Sequence, residues 1–219
     1  MNKRDFLSDV ISRWRSDYNF RTFLSAGGSF TLTVIFALYN GFLGVHHHSI
    51  WNGSICAYYI VLSLIRGVLI WAEDRIYRKN TKAEREMRKQ VFHFTSAALL
   101  VLNLAMFVPI SLLVQLEKPV NMGLIPVLAM AAYTVYKLVF ACLNYRKRRA
   151  SSNVFVKELR SINLIDALLS IISLQNALIS YAGGGDSMLV VSAASSAVLL
   201  IMIVAISIHT IRAGYAELI

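Results

Sequence analysis

Six apolar runs alternate with polar segments along the chain: residues 22–43, 49–72, 93–115, 122–144, 161–181 and 188–210. Each is about 20 residues long, the length at which a helix spans the ~30 Å hydrocarbon core of a bilayer. The pattern predicts an all-α polytopic membrane protein of six transmembrane helices. Three links are tight, "VHHHS", "LEKPVN" and "AGGGDS", while the others are longer and basic. That alternation predicts three helical hairpins. Ahead of the first run, Leu7, Val10, Ile11, Trp14 and Tyr18 recur at helical spacing, and Arg4, Asp5, Asp9, Arg13 and Asp17 fall mostly elsewhere. Such a stripe fits an amphipathic helix on the inner leaflet, or one packed beneath the bundle. The predicted organisation is a cytoplasmic amphipathic helix over 1–21, a six-helix transmembrane domain over 22–212 and a cytoplasmic tail over 213–219.

Charge sets the orientation. Of the 22 lysines and arginines, only Lys118 falls in a tight link, and only Arg66 and Lys137 fall inside apolar runs. The remainder lie at 1–21, 73–92, 145–160 and in the tail, so the positive-inside rule puts both termini in the cytoplasm. The segment "AEDRIYRKNTKAEREMRKQ" alternates in sign and favours helical i,i+4 pairs, extending the second or third helix beyond its apolar run. Composition agrees with a membrane protein: 57% hydrophobic and 16% charged, where a soluble domain carries about 25% charged residues. A net charge of +10 would suggest nucleic acid in a soluble protein, but no basic-aromatic module is present. The basic segments instead predict contact with the bilayer and its anionic lipids. The predicted location is the plasma membrane, and no cleavable signal peptide is read at the amino terminus. Cys56 and Cys142 fall near opposite faces by this topology, too far apart for a disulfide.

The polar residues inside the runs are the candidate chemistry. A guanidinium in hydrocarbon is costly and does not neutralise itself, so Arg66 needs a partner, a water-filled cavity or a ligand. The sequence places one acid inside a run, Asp166. Asn163, Asp166, Ser170, Ser173, Ala177 and Ser180 share one helical face, which is either an interhelical seam of small polar residues or a solute-lining face. Arg66 lies nine residues before Arg75, and Lys137 nine before Arg146, so both cations sit at one depth, about 13 Å from the basic edge. Asp166 is near that depth, and an Arg66–Asp166 pair follows. Lys137 then either snorkels toward the interface or leaves the cluster net positive, which suits an anionic solute or a headgroup. Tyr59 shares a face with Arg66, and Tyr133 and Tyr136 accompany Lys137. Asn103 and Pro109 lie in the third run, and the proline predicts a kink because it cannot bond to the carbonyl of Ala105.

Other motifs add little. His46, His47 and His48 are weak metal candidates, since three adjacent histidines cannot all face one ion from a helix or strand. No cofactor is predicted, and no catalytic constellation such as GxSxG or HExxH occurs. Asn52-Gly53-Ser54 matches a glycosylation sequon at the edge of a run. Small-xxx-small pairs, Ser25 with Ser29 and Ser192 with Ser196, suit tight helix contact or dimerisation. The runs "HSIWNGSICAYYIVLSLIR" and "NLIDALLSIISLQNA" resemble a family of small six-span bacterial integral membrane proteins, through His48, Ser49, Trp51, Gly53, Tyr58, Tyr59, Arg66, Asn163, Ser170 and Gln175. That resemblance implies fold and membrane location, with no chemistry attached. The functional expectation is binding or passage of a small solute or ion at an intramembrane polar cluster. The alternative is a non-catalytic accessory that binds a partner protein or anionic lipid through its basic inner loops.

Overall fold

The computed structural model describes residues 18–77, 82–116, 124–146, 153–183 and 186–218. These residues are helical, with no strand among them: α1 Tyr18–His46, α2 Ile50–Tyr77, α3 Lys82–Ala105, α4 Phe107–Leu116, α5 Leu124–Arg146, α6 Val154–Ala182 and α7 Asp186–Leu218. Five stretches are long and apolar enough to cross a membrane: Ile50–Glu73, Arg85–Ser111, Val127–Arg146, Val154–Ile179 and Val190–Ala216. A shorter apolar stretch, Phe30–His46, belongs to α1. The outer surface matches that reading. Leu38, Phe42, Val45, Ile125, Val135 and Val191 are all exposed, which suits a hydrocarbon surround better than water. The predicted amphipathic stripe lies outside the described residues except at Tyr18, as does most of the "LEKPVN" link. The side chains of Ser25 and Ser29 are likewise undescribed.

The α1–α2 pair packs closely near its tip because Gly44 and Gly53 lack side chains where the helices meet. A Cβ at Gly44 would lie 2.9 Å from the backbone nitrogen of Gly53. Ser49 opens α2, its Oγ accepting from the Asn52 backbone N–H at 3.3 Å and from Asn52 Nδ2 at 3.1 Å. It thus satisfies one of the donors a helix start leaves over. Asn52 is buried in this cap, which removes the sequon from consideration.

Pro109 has the expected effect. The third run is interrupted at Met106, between α3 and α4. The Met106 N–H bonds to the Asn103 carbonyl at 3.3 Å, a tightened turn.

Two features differ from the sequence reading. α6 begins at Val154, seven residues ahead of its predicted apolar run, and Val154, Phe155, Val156 and Leu159 are buried. Asn153 makes this start, its side chain accepting from the Phe155 N–H at 3.0 Å. Gly183 ends the helix with φ 80°, a left-handed conformation suited to glycine. The second difference concerns the second hairpin. Among the described residues α5 packs on α6 and not on α3 or α4. Chain order therefore does not make α3–α4 and α5 spatial neighbours. α6 is the hub: it meets α1, α2, α3, α5 and α7.

Candidate functional site

Helical spacing and helix crossing together build one charged cluster. Tyr59, Ser63 and Arg66 follow one stripe of α2, and Asp166, Ser170 and Ser173 one stripe of α6. Where these stripes meet, Arg66 Nη2 donates to Asp166 Oδ2 at 2.8 Å. Arg66 is 1% exposed and Asp166 0%, so this pair is wholly removed from solvent. Arg66 Nη1 also donates to the Thr33 hydroxyl on α1, tying three helices to one guanidinium.

Lys137 does not snorkel away. Its Nζ lies 2.6 Å from Asp166 Oδ1 and 2.9 Å from Ser170 Oγ. The single carboxylate therefore holds a cation on each oxygen, where the sequence reading paired Asp166 with Arg66 alone. The reason is geometric: α5 packs directly on α6, and a four-carbon stem reaches Asp166 more easily than it reaches the interface. The Nζ also lies over three rings, 5.4 Å from the centroid of Tyr133, 5.5 Å from Tyr59 and 5.8 Å from Phe36. These distances fall within cation–π range. Phe36 and Tyr133 stack at 4.7 Å, and Phe36 meets the edge of Tyr59 at 6.2 Å. The Lys137 side chain keeps 12% exposure, more than either other charge. With two cations and one carboxylate, the ionised cluster carries one net positive charge.

Three buried hydroxyls on the helices of this cluster have no hydrogen-bond partner: Ser63, which lines the groove between α1 and α2, Thr134 and Ser173. Each lies three residues from a cluster member, on the side of the 47–49 link and Gly183. Ser63 precedes Arg66, Thr134 precedes Lys137, and Ser173 follows Ser170. A buried hydroxyl left unbonded costs about 1–3 kcal/mol, so three within one helical turn of cluster residues is unusual.

Other predicted residues lie elsewhere. Tyr136 is exposed and stacks on Phe140, because residues adjacent on a helix diverge by about 100°. Asn103 is buried in a neighbouring network. It accepts from Tyr58 OH at 2.9 Å and donates to Ser207 Oγ at 2.8 Å, linking α2, α3 and α7. Asn163 is half-buried on α6. His46, His47 and His48 are exposed at the α1–α2 tip. Among the described residues no group of three or more His, Cys, Asp or Glu side chains is placed to hold a metal. Cys56 and Cys142 are free thiols.

Sequence reasoning missed two buried acids. Glu158 is 0% exposed and accepts from Ser96 Oγ at 3.0 Å. Glu73 is nearly buried, accepts from Asn153 Nδ2 at 2.6 Å and lies 3.6 Å from Arg88. Both fall just outside the apolar runs, where charge normally signals solvent. The signal present was weak: Glu158 sits among Val154, Phe155, Val156 and Leu159, an apolar neighbourhood unlike that of an ordinary loop. No known protein family, curated protein or solved structure matches this chain.

Proposed function

We propose that the chain is a six-crossing membrane protein with both termini in the cytoplasm, and that it binds and passes a small ion at the Arg66–Asp166–Lys137 cluster. The observation that carries this reading is the buried cluster itself, one carboxylate between two cations with a net positive charge, with the unbonded hydroxyls Thr134 and Ser173 three residues from Lys137 and Ser170 on the same helices. Fully satisfied polar groups would suffice for a structural seam. Buried hydroxyls without a protein partner fit a surface that a hydrated or partly dehydrated ion visits. The most accessible member is Lys137, with 12% side-chain exposure on the peripheral α5. Liposomes containing the purified protein should dissipate a gradient of at least one of H⁺, Na⁺, K⁺ or Cl⁻ faster than empty liposomes. Asp166→Asn should abolish the difference. Rates equal to those of empty vesicles for all four ions overturn the reading. For the topology, cysteines placed at His47 or Gly185 should label from outside intact cells, and cysteines at Lys82 or Arg148 should not.

A second reading, an accessory that holds an anionic lipid, is favoured by a different observation. A groove of about 500 Å³ runs between α1 and α2, lined by apolar side chains from Phe30 and Val34 on α1 to Ile60, Val68 and Trp71 on α2. Exposed Arg75 caps its end, its guanidinium 5.1 Å above the Trp71 ring. An acyl chain in the groove would bring a phosphate to Arg75. Native mass spectrometry should then show an anionic lipid retained by the wild type and lost from Arg75→Ala.

A further inference from the structure

The surroundings of the Lys137 ammonium form a site in their own right. Asp166 Oδ1 supplies the charge at 2.6 Å and Ser170 Oγ a hydrogen bond at 2.9 Å. The rings of Phe36, Tyr59 and Tyr133 provide three electron-rich surfaces at 5.4–5.8 Å. A carboxylate, a hydroxyl and three rings around one nitrogen are the elements that recognise an ammonium ion. They belong to α1, α2, α5 and α6, and Asp166, Ser170 and Tyr59 are buried. The cation itself arrives from α5, which packs mainly on α6 and touches α1 and α2 through the Tyr133 ring and the Lys137 ammonium. The occupant is therefore attached to a peripheral helix, while Asp166, Ser170 and Tyr59 belong to the more deeply buried α2 and α6.

We infer that this pocket is a recognition site for a small primary ammonium ion, held in this state by the chain's own Lys137. The proposal rests on the ion-passage reading and names its ligand class. Exchanging Lys137 for another ammonium leaves the charge of the cluster unchanged, so no buried charge is stranded in the bound state. Primary ammonium is preferred over quaternary because the nitrogen must donate to both Asp166 and Ser170, and a quaternary nitrogen has no N–H. An ammonium could come from water or from an ethanolamine lipid headgroup, which share the same chemistry.

The test uses the full chain in detergent. Lys137→Ala removes the resident ammonium and leaves the neutral Arg66–Asp166 pair. n-Butylammonium chloride, which matches the lost side chain, should raise the melting temperature of Lys137→Ala saturably. Sodium chloride and tetramethylammonium chloride at equal ionic strength should not. The rise should be about 2–4 °C, the shift that roughly one kilocalorie of ligand binding gives a chain of this size, and Tyr133→Leu in the same background should shrink it. An equal rise with tetramethylammonium, or no rise with butylammonium, overturns the proposal. Adding ethanolamine phospholipid instead of butylammonium separates the two sources: a lipid-only response assigns the site to the headgroup, and a butylammonium response to a soluble amine. Should Lys137→Ala fail to fold, binding of radiolabelled methylammonium to the wild type decides. Saturable binding weakened by Tyr133→Leu supports the site, and non-saturable binding overturns it. Failure of this inference is distinct from failure of the broader reading. Flux of another ion without ammonium binding leaves passage standing, and ammonium binding without flux removes passage but keeps the site.

Discussion

α6 and α5 run side by side through the bundle, yet they treat polar residues in opposite ways. In the most apolar stretch of α6, 61% of the residues are buried, against 17% for α5. The buried helix carries the larger polar load: Glu158, Ser161, Asp166, Ser170 and Ser173 are all buried. Most of these are answered by other helices, Glu158 by Ser96, Ser161 by Thr210, and Asp166 by Arg66 and Lys137. The peripheral helix has one charge in its apolar stretch before the basic end, and Lys137 is turned toward α6. Polar groups inside a bundle need protein partners, so a helix tolerates them in proportion to its neighbours. α5 packs mainly on α6 and directs its single interior charge there.

The sharpest test of this comparison is the asymmetry within the cluster. Asp166→Ala strands two cations at once and should cost at least the about 3–5 kcal/mol typical of a broken buried pair. Arg66→Ala leaves a neutral Lys137–Asp166 pair, and Lys137→Ala leaves a neutral Arg66–Asp166 pair, so each should cost less. Thermal unfolding in detergent should rank Asp166→Ala as most damaging, then Arg66→Ala, which also opens a cavity, then Lys137→Ala. Equal losses would show that the three charges do not act as one unit. This ordering replaces the simpler expectation for an isolated Arg66–Asp166 pair, in which either single change hurts alike and the double change recovers.

A smaller effect tests the second buried acid of α6. Glu158→Ala leaves the buried Ser96 hydroxyl without its acceptor and should cost about 1–3 kcal/mol, read as a lower denaturation midpoint. A neutral result would mean that α6 tolerates polar groups for some reason other than satisfaction by its neighbours. The smallest effect belongs to the outer face of α5. Tyr136→Ala removes an exposed ring and should change stability by no more than about 0.5 kcal/mol. It should also leave any ion flux intact, whereas Tyr133→Leu, three residues earlier and against the Lys137 ammonium, should alter it. A large loss from Tyr136→Ala would place a partner or a second copy against α5.

The helical kind of the elements and their apolar character were legible in the sequence because helix formation in an apolar run is local. The break near Pro109 was legible for the same reason, since a missing N–H acts within one turn. Arg66 and Asp166 could be brought together because depth along a helix is simple arithmetic, at 1.5 Å per residue. Rotation about the helix axis and the choice of neighbour are not local quantities. Tyr136 and Lys137 are adjacent in sequence, yet one faces outward and the other reaches Asp166, and only the packing of α5 on α6 decides which. Packing likewise separated Asn103 from the charged cluster by giving its amide to Tyr58 and Ser207. It also buried Glu158 and Glu73, acids beyond the apolar runs, because α6 begins earlier than hydropathy indicates and is covered from several sides. Hydropathy reports how a segment partitions between water and lipid, whereas the burial of a charge depends on which other helices can answer it. That second property belongs to the assembled bundle alone.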